Sequence, residues 1–258
     1  MKEYILITGA SSGIGEQLAR QLAEQHSNLI LVARSEDKLR QLQKELSTSH
    51  GVSVLYFVKD LSKKGSAAGL YTEVRQQGLL VTHLVNNAGI GNYGHFTATS
   101  LEEEIAMIEL NVTSLVILTK LFAKDMAVRG SGRIMNIASV IAFLPMPYMS
   151  VYSATKSFVL AFSQTLAAEL EDTGVINTAL APGITETAFV SPELRQTNLV
   201  KSGKPASANT VAAEGVQLLL HGKGKKIVGF QNRFNTVLAA LLPDQVMMKI
   251  KMKLAGAR

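Results

Sequence analysis

The chain alternates short, unbroken apolar runs with longer stretches of helical period, and that alternation leaves few folds open. Candidate strands lie at 4–8, 29–33, 53–58, 84–86, 133–138, 175–181 and 226–230. Helix-like segments fall near 14–26, 36–48, 64–78, 100–129, 150–172 and 208–220. Runs such as Leu29-Ile30-Leu31-Val32 show no polar alternation, as strands covered on both faces do not. Strands that alternate with helices need right-handed crossovers and pair in parallel. The pattern predicts an α/β fold: one doubly wound domain over 1–230, a seven-stranded, mostly parallel sheet with helices on both faces. A basic amphipathic extension, 231–258, follows. The stretch 183–207, with Gly183, Pro192, Gly203 and Pro205, has no period and reads as a functional or mobile loop.

Of the 258 residues 47% are apolar and 18% charged, enough for a sizeable core and unlike a disordered chain. There is no cysteine, which excludes disulfides, thiolate metal sites and a cysteine nucleophile. That suits a reducing compartment, and the expected location is the cytoplasm. The five histidines are scattered without carboxylates at ligand spacing, so no metal is expected, and His95 reads as incidental. The opening residues lack a charged-then-apolar leader. No apolar run approaches the roughly 18–20 residues that span a bilayer. The net charge of +6 sits at one end: residues 1–200 carry 16 Lys+Arg against 18 Asp+Glu, and residues 201–258 carry 10 against 2. Without a helix-turn-helix or basic–aromatic interleaving, this is no nucleic-acid signature.

The first strand runs into Thr8-Gly9-Ala10-Ser11-Ser12-Gly13-Ile14-Gly15, and a helix-like stretch follows. Glycines permit a tight turn and close approach of backbone to a phosphate, whose charge the helix start favours. In this strand–turn–helix setting Gly9, Ser11, Ser12, Gly13, Ile14 and Gly15 are candidate dinucleotide contacts. An NAD site usually has an acid after the second strand. This chain has Ala33-Arg34-Ser35, where a guanidinium and a hydroxyl suit a 2′-phosphate, so NADP(H) is the expected cofactor. Asp60 and Leu61, after the third strand, are candidate adenine contacts, with a helix N-cap as the plainer reading of Asp60. Asn87, Ala88 and Gly89 close the fourth strand, where the asparagine amides of Asn86 and Asn87 suit either ribose contact or bracing of the sheet.

The reactive candidates are Asn111, Ser139, Tyr152 and Lys156. Tyr152 and Lys156 stand four apart in a helix-like stretch and share a face. A free phenol, with a pKa of about 10, is a poor proton donor or acceptor near neutrality. A cationic Lys156 and an oxidised nicotinamide ring would both favour the phenolate.

Taken in order, Thr8–Gly15, Asn86–Gly89, Asn111, Ser139, Tyr152 with Lys156, and Pro182-Gly183 with Thr187 resemble the short-chain dehydrogenase/reductase family in its compact branch. The resemblance implies a Rossmann fold. It implies Tyr152 as general acid/base, with Lys156 holding the ribose hydroxyls and lowering the phenol's pKa. Ser139 would hydrogen-bond the substrate oxygen, and Asn111 would hold a water that links Lys156 to solvent. Pro182, Gly183, Ile184, Thr185 and Thr187 match the segment that fixes the nicotinamide carboxamide, and Arg34 matches the arginine of NADPH users. Two positions depart from the pattern: Thr185 where an aliphatic residue is usual, and Thr82 where the family often has Asp. The family also pairs the helices at 100–123 and 150–170 between subunits, which implies a homodimer or tetramer.

The implied activity is NADPH-dependent reduction of a carbonyl, or oxidation of a secondary alcohol. Candidate substrate walls at 90–96, 140–148 and 184–199 carry Phe143, Leu144, Met146, Met149 and Phe189, which suits an apolar substrate. A 3-oxoacyl thioester reductase and a non-catalytic dinucleotide sensor are the alternatives. In the tail, Phe230, Phe234, Val237, Leu238 and Leu241 recur at helical spacing. Val246, Met247, Ile250 and Leu254 do so after Pro243, among Lys249, Lys251 and Lys253. Three arrangements are open: packing over the pocket or a subunit partner, peripheral contact with an anionic membrane, or loose order.

Overall fold

The computed structural model describes residues 2–187, 189, 192–202, 205–241 and 243–256. Gly203, one of the predicted loop residues, lies outside them. Seven strands form one sheet in the order β3-β2-β1-β4-β5-β6-β9. They are β1 (Glu3–Thr8), β2 (Leu29–Ala33), β3 (Val54–Val58), β4 (Leu80–Asn86), β5 (Gly132–Ile137), β6 (Val175–Ala181) and β9 (Gly224–Ile227). Every pair is parallel, so the sheet is wholly rather than mostly parallel. The chain winds outward from β1 in both directions, which opens a crevice beyond the carboxyl ends of β1 and β4, where doubly wound sheets bind ligands.

Helices α1 (Gly13–Glu24), α2 (Glu36–His50) and α9 (Ala208–His221) cover one face. Leu18, Leu22, Leu39, Leu46, Val211 and Val216 pack there on Ile7, Leu31 and Met135. Helices α3 (Ser66–Gln76), α4 (Leu101–Ile108), α5 (Leu115–Arg129) and α6 (Ser150–Glu169) lie on the other. Leu70, Leu118, Phe122 and Met126 pack on Leu6, Ile30 and Leu84 there. Two-sided burial is why the strands are unbroken apolar runs.

Four expectations need correction. The stretch 100–129 is not a single α-helix: a π-helical turn, Glu109–Ser114, separates α4 from α5. The composite Leu101–Arg129 is also long and apolar enough to cross a membrane by length and composition, contrary to the reading of apolar runs. Its Leu118, Phe122 and Met126 are buried against the sheet, so part of the apolar content serves the core. Strand β4 starts at Leu80 rather than 84, because Val81 pairs with Tyr4 despite the polar Thr82 and His83 that mask the pattern. The last strand ends at Ile227 rather than 230, since Gly229 turns the chain at φ +82° into α10 (Phe230–Leu241).

The aperiodic stretch 183–207 holds structure of its own. Strands β7 (Thr185–Glu186) and β8 (Ala206–Ser207) pair, and between them lie the short helices α7 (Pro192–Arg195) and α8 (Asn198–Ser202). Helix α11 (Asp244–Ala255) follows α10 and returns to this segment. The Asn198 amide donates to the Lys253 carbonyl at 3.0 Å, and the Tyr93 hydroxyl donates to the Ala255 carbonyl. The tail is thereby tied to the loops above the sheet's carboxyl edge.

Candidate active site

The glycine turn is built by exclusion of side chains. A Cβ on Gly15 would lie 2.3 Å from the Gly9 carbonyl oxygen and 2.4 Å from the Asn87 amide nitrogen. Gly9 and Gly13 have φ of +68° and +59°, conformations that L side chains rarely adopt. Thr8 and Asn87 hold the turn to β4. The Thr8 hydroxyl accepts from the N–H groups of Asn87 and Ala88 at 3.0 Å and donates to the Val85 carbonyl at 3.3 Å. The Asn87 amide donates to the carbonyls of Thr8 and Gly9 at 2.9 and 3.2 Å. Of the two open readings for Asn87, bracing is the one its contacts show. Asn86 braces too, donating to Thr119 and to Asn136, which continues the chain of buried amides to Ser163 and Asn177. No periodic pattern in the sequence exposes such a network.

A continuous cavity of about 1330 Å³ runs from this turn along the carboxyl edge of the sheet. All the predicted site residues except Gly15 and Asn111 line it. From the β1–α1 turn come Gly9, Ser11, Ser12, Gly13 and Ile14, and from the end of β2 come Arg34 and Ser35. Asp60 and Leu61 follow β3, and Asn87, Ala88 and Gly89 follow β4. Ser139, Tyr152 and Lys156 line the middle, and Pro182, Gly183, Ile184, Thr185 and Thr187 the far wall. Gly15 sits behind the turn. Asn111 sits behind Gly89, whose Cβ would stand 3.2 Å from its Oδ1 and 3.4 Å from Lys156 Nζ.

Several polar groups on this wall are uncommitted. Ser12 and Ser35 stand at the starts of α1 and α2, yet neither hydroxyl caps its helix. Arg34 is exposed at the cavity rim, and Lys38, which belongs to no sequence motif, lines the same end. Asp60 is not a helix N-cap. Its Oδ1 accepts from the Ser62 hydroxyl at 2.6 Å and backbone N–H at 3.0 Å, which hold the carboxyl below its ordinary range.

Tyr152 and Lys156 are buried on α6. Burial pushes the Tyr152 phenol up to about 12, opposed by a hydrogen bond with the Ser139 hydroxyl. Burial pushes the Lys156 ammonium down to about 8, and Nζ donates to the Ile137 carbonyl at 2.8 Å. Nζ lies 5.9 Å from the Tyr152 ring centroid. Within the polypeptide, then, desolvation outweighs any lowering of the phenol by Lys156. Asn111 lies in the π-helical turn, and its amide is spent on neighbours: Oδ1 accepts from Ile90 N–H at 3.0 Å, and Nδ2 donates to the Ile90 carbonyl and Thr155 hydroxyl.

Above Tyr152 the walls are apolar. Ile141, Met146, Met149 and Leu194 cluster with it, and Ala255 of the tail closes the cluster. Phe189 lies against the Tyr152 ring, with centroids 5.3 Å apart, over Gly91, which leaves room for both. Of the predicted substrate walls, Leu144, Met146, Met149 and Phe189 line the cavity. Phe143 instead packs beneath and takes Lys225 on its ring face. His95 stacks edge-on against Tyr148 and is not in the lining. Among the described residues no cluster of His, Asp or Glu could hold a metal ion.

A glycine turn, a Ser–Tyr pair and a buried lysine on one cavity wall is an arrangement that comparison with known proteins can place. The sequence pattern of the family described as short chain dehydrogenase matches residues 3–198. The chain belongs to the short-chain dehydrogenase family. It is 40% identical to an 11-beta-hydroxysteroid dehydrogenase of Pinus massoniana, over 70% of this chain and 51% of that protein. It is 30% identical to a very-long-chain 3-oxoacyl-CoA reductase of Anas platyrhynchos, over 97% of this chain and 79% of the other. The chain spans about half to three-fifths of the hydroxysteroid dehydrogenases it matches. A short-chain dehydrogenase from Sphingobium yanoikuyae in complex with NADPH has the same fold, with a TM-score of 0.81 and 30% identity over 96% of this chain and 95% of that one. Short-chain dehydrogenases are oxidoreductases, and this chain shares their sequence pattern and their fold.

Proposed function

We propose that this short-chain dehydrogenase is an NADPH-dependent reductase of apolar carbonyl compounds, running in reverse on the corresponding secondary alcohols. The observation that carries this reading is that Ser139 and Tyr152 share one cavity wall with the glycine turn and Arg34. The cavity fits a dinucleotide: the glycines bare the backbone where a pyrophosphate would lie, and the hydroxyls of Ser12 and Ser35 are free of capping. Arg34 and Ser35, with Lys38 beside them, suit a 2′-phosphate, which favours NADPH over NADH. A bound nicotinamide supplies the hydride that reaches the carbonyl carbon, and its oxidised ring carries positive charge.

The chain's own groups handle the oxygen. The Ser139 hydroxyl, already bonded to Tyr152, orients and polarises the carbonyl oxygen. Tyr152 gives that oxygen its phenolic proton, a role worth about 10²–10⁴-fold in rate. Lys156, at about 8, stays largely protonated near neutrality and stabilises the phenolate left behind. Asn111 fixes the Ile90 backbone and Thr155 beside Lys156, and we assign to it the water that links Lys156 to solvent. The apolar walls and Phe189 exclude water from the reacting oxygen. Helices α4 and α6 carry the exposed Leu101, Ile105, Ile108 and Phe158, which we assign to a homodimer interface.

One second reading has an observation in its favour. Two very-long-chain 3-oxoacyl-CoA reductases are similar over 97–98% of this chain and a third over 82%, which favours a long-chain 3-oxoacyl thioester as the carbonyl substrate. The test is oxidation of NADPH and, in parallel, of NADH with a panel of bulky apolar ketones, hydroxysteroid precursors and 3-oxoacyl thioesters. Turnover of at least one carbonyl with preference for NADPH is expected. Dinucleotide binding with no turnover across the panel would leave a sensor instead.

A further inference from the structure

Helix α10 turns an apolar stripe outward. Phe230, Phe234, Val237 and Leu241 recur at spacings that share one side of a helix, and they are 80%, 54%, 63% and 77% exposed. The other sides give Asn232, Asn235, Leu238 and Ala239 to the cavity, and Phe230, at the start of the stripe, lines it as well. A surface helix of a water-soluble protein is ordinarily arranged the other way round. Helix α11 also carries exposed Val246, Met248 and Met252, with exposed Lys249 and Lys253 among them. Nine of the seventeen exposed large apolar side chains among the described residues fall on these two helices, so exposed apolar surface is concentrated in the tail.

The charge around the patch selects its occupant. Residues 201–258 carry 10 Lys+Arg against 2 Asp+Glu. Large apolar side chains interleaved with lysines, with few acids nearby, suit the boundary between acyl chains and anionic headgroups. A second copy docked symmetrically on the same face would bring like charges from Lys249 and Lys253 together, which opposes self-association there. The same helices also wall the cavity: Met247, Ile250, Lys251 and Leu254 of α11 line it, and Ala255 packs in the cluster that contains Tyr152. Phe230, Leu238 and Ile250 are both exposed and in the lining, so the exposed face adjoins the cavity.

We infer that the outer face of α10 and α11 is a docking surface for anionic lipid bilayers, and that the cavity opens onto it. The docking stands by itself. Its consequence, that the substrate is an amphiphilic carbonyl compound drawn from the bilayer, rests on the reductase reading. The full chain is tested by flotation with vesicles of phosphatidylcholine alone and of phosphatidylcholine mixed with phosphatidylserine. It is expected to float with the mixed vesicles, and less so as salt rises. The pair Val237→Glu and Leu241→Glu, neither of which lines the cavity, should abolish flotation with an unchanged melting curve and unchanged NADPH binding. The pair Lys249→Glu and Lys253→Glu should lower partitioning at least about tenfold. Absence of flotation, or flotation that neither pair changes, overturns the inference. So does a concentration-dependent oligomer that the first pair dissolves without any vesicle binding. Flotation in a chain that turns over no carbonyl would sink the reductase reading and leave the docking standing.

Discussion

Lys156 Nζ lies 5.9 Å from the Tyr152 ring centroid and gives its hydrogen bond to the Ile137 carbonyl, 2.8 Å away. A buried ammonium facing a carbonyl rather than a carboxylate costs the fold more than it contributes, and its lowering to about 8 reflects that cost. A functional lysine and a structural one then differ in what replacement does. Lys156→Met should melt at the same temperature as the parent or higher, while NADPH-dependent turnover falls at least about a hundredfold. Loss of stability in parallel with activity, seen by calorimetry, would make Lys156 a structural residue.

Arg34 separates the two dinucleotides. Loss of a charge-assisted bond costs about 1.5–3 kcal/mol, so Arg34→Ala should weaken NADPH binding roughly 10–100-fold and leave NADH nearly unchanged. Fluorescence titration with both coenzymes reads this directly, and equal losses for both would remove the 2′-phosphate assignment.

Two glycines make a matched pair. Gly15→Ala drives a Cβ to 2.3 Å from the Gly9 carbonyl oxygen and should cost about 2–3 kcal/mol along with dinucleotide affinity. Gly69→Ala, inside α3 with nothing within 4 Å, should instead stabilise by about 0.5–1 kcal/mol. Denaturant midpoints test both, and opposite signs are the expected result.

His83 sets an acid limit. Burial, with Arg133 nearby, holds its imidazole down to about 4 against an ordinary 6.5. The unfolded chain binds its proton first as pH falls, so stability fully present above 6.5 is lost progressively down to about 4. That gap corresponds to about 3 kcal/mol. His83→Gln, which has no proton to gain, should flatten this part of the stability–pH curve; an unchanged slope would mean that His83 is accessible to protons in the folded state.

The frame of the fold is legible because strands buried on both faces leave unbroken apolar runs. The glycine turn is legible because, between a strand and a helix, so many small residues serve little except close approach of backbone to a phosphate. Strand β4 is half hidden, since Thr82 and His83 break its apolar run while hydrogen-bonding each other. The π turn is invisible, because one extra residue per turn barely alters a helical pattern. The site residues gather where strand ends meet, and topology brings them there. What each side chain does is less legible: the Asn87 amide bonds to the Thr8 and Gly9 carbonyls and the Asp60 carboxylate to Ser62, partners that position along the chain does not announce. The tail's periodicity shows helices without showing which side faces water. The bonds from Asn198 and Tyr93 to the α11 carbonyls, and Ala255 in the cluster that holds Tyr152, orient α11.

The proton carried by Tyr152 is the point on which the chemistry turns. In Tyr152→Phe the ring, its contact with Phe189 and the cavity wall are kept and only the hydroxyl is lost. NADPH should bind to this variant with nearly parental affinity by fluorescence titration, while carbonyl-dependent NADPH oxidation falls about 10²–10⁴-fold. A variant that binds NADPH and keeps its rate would show that the proton comes from elsewhere.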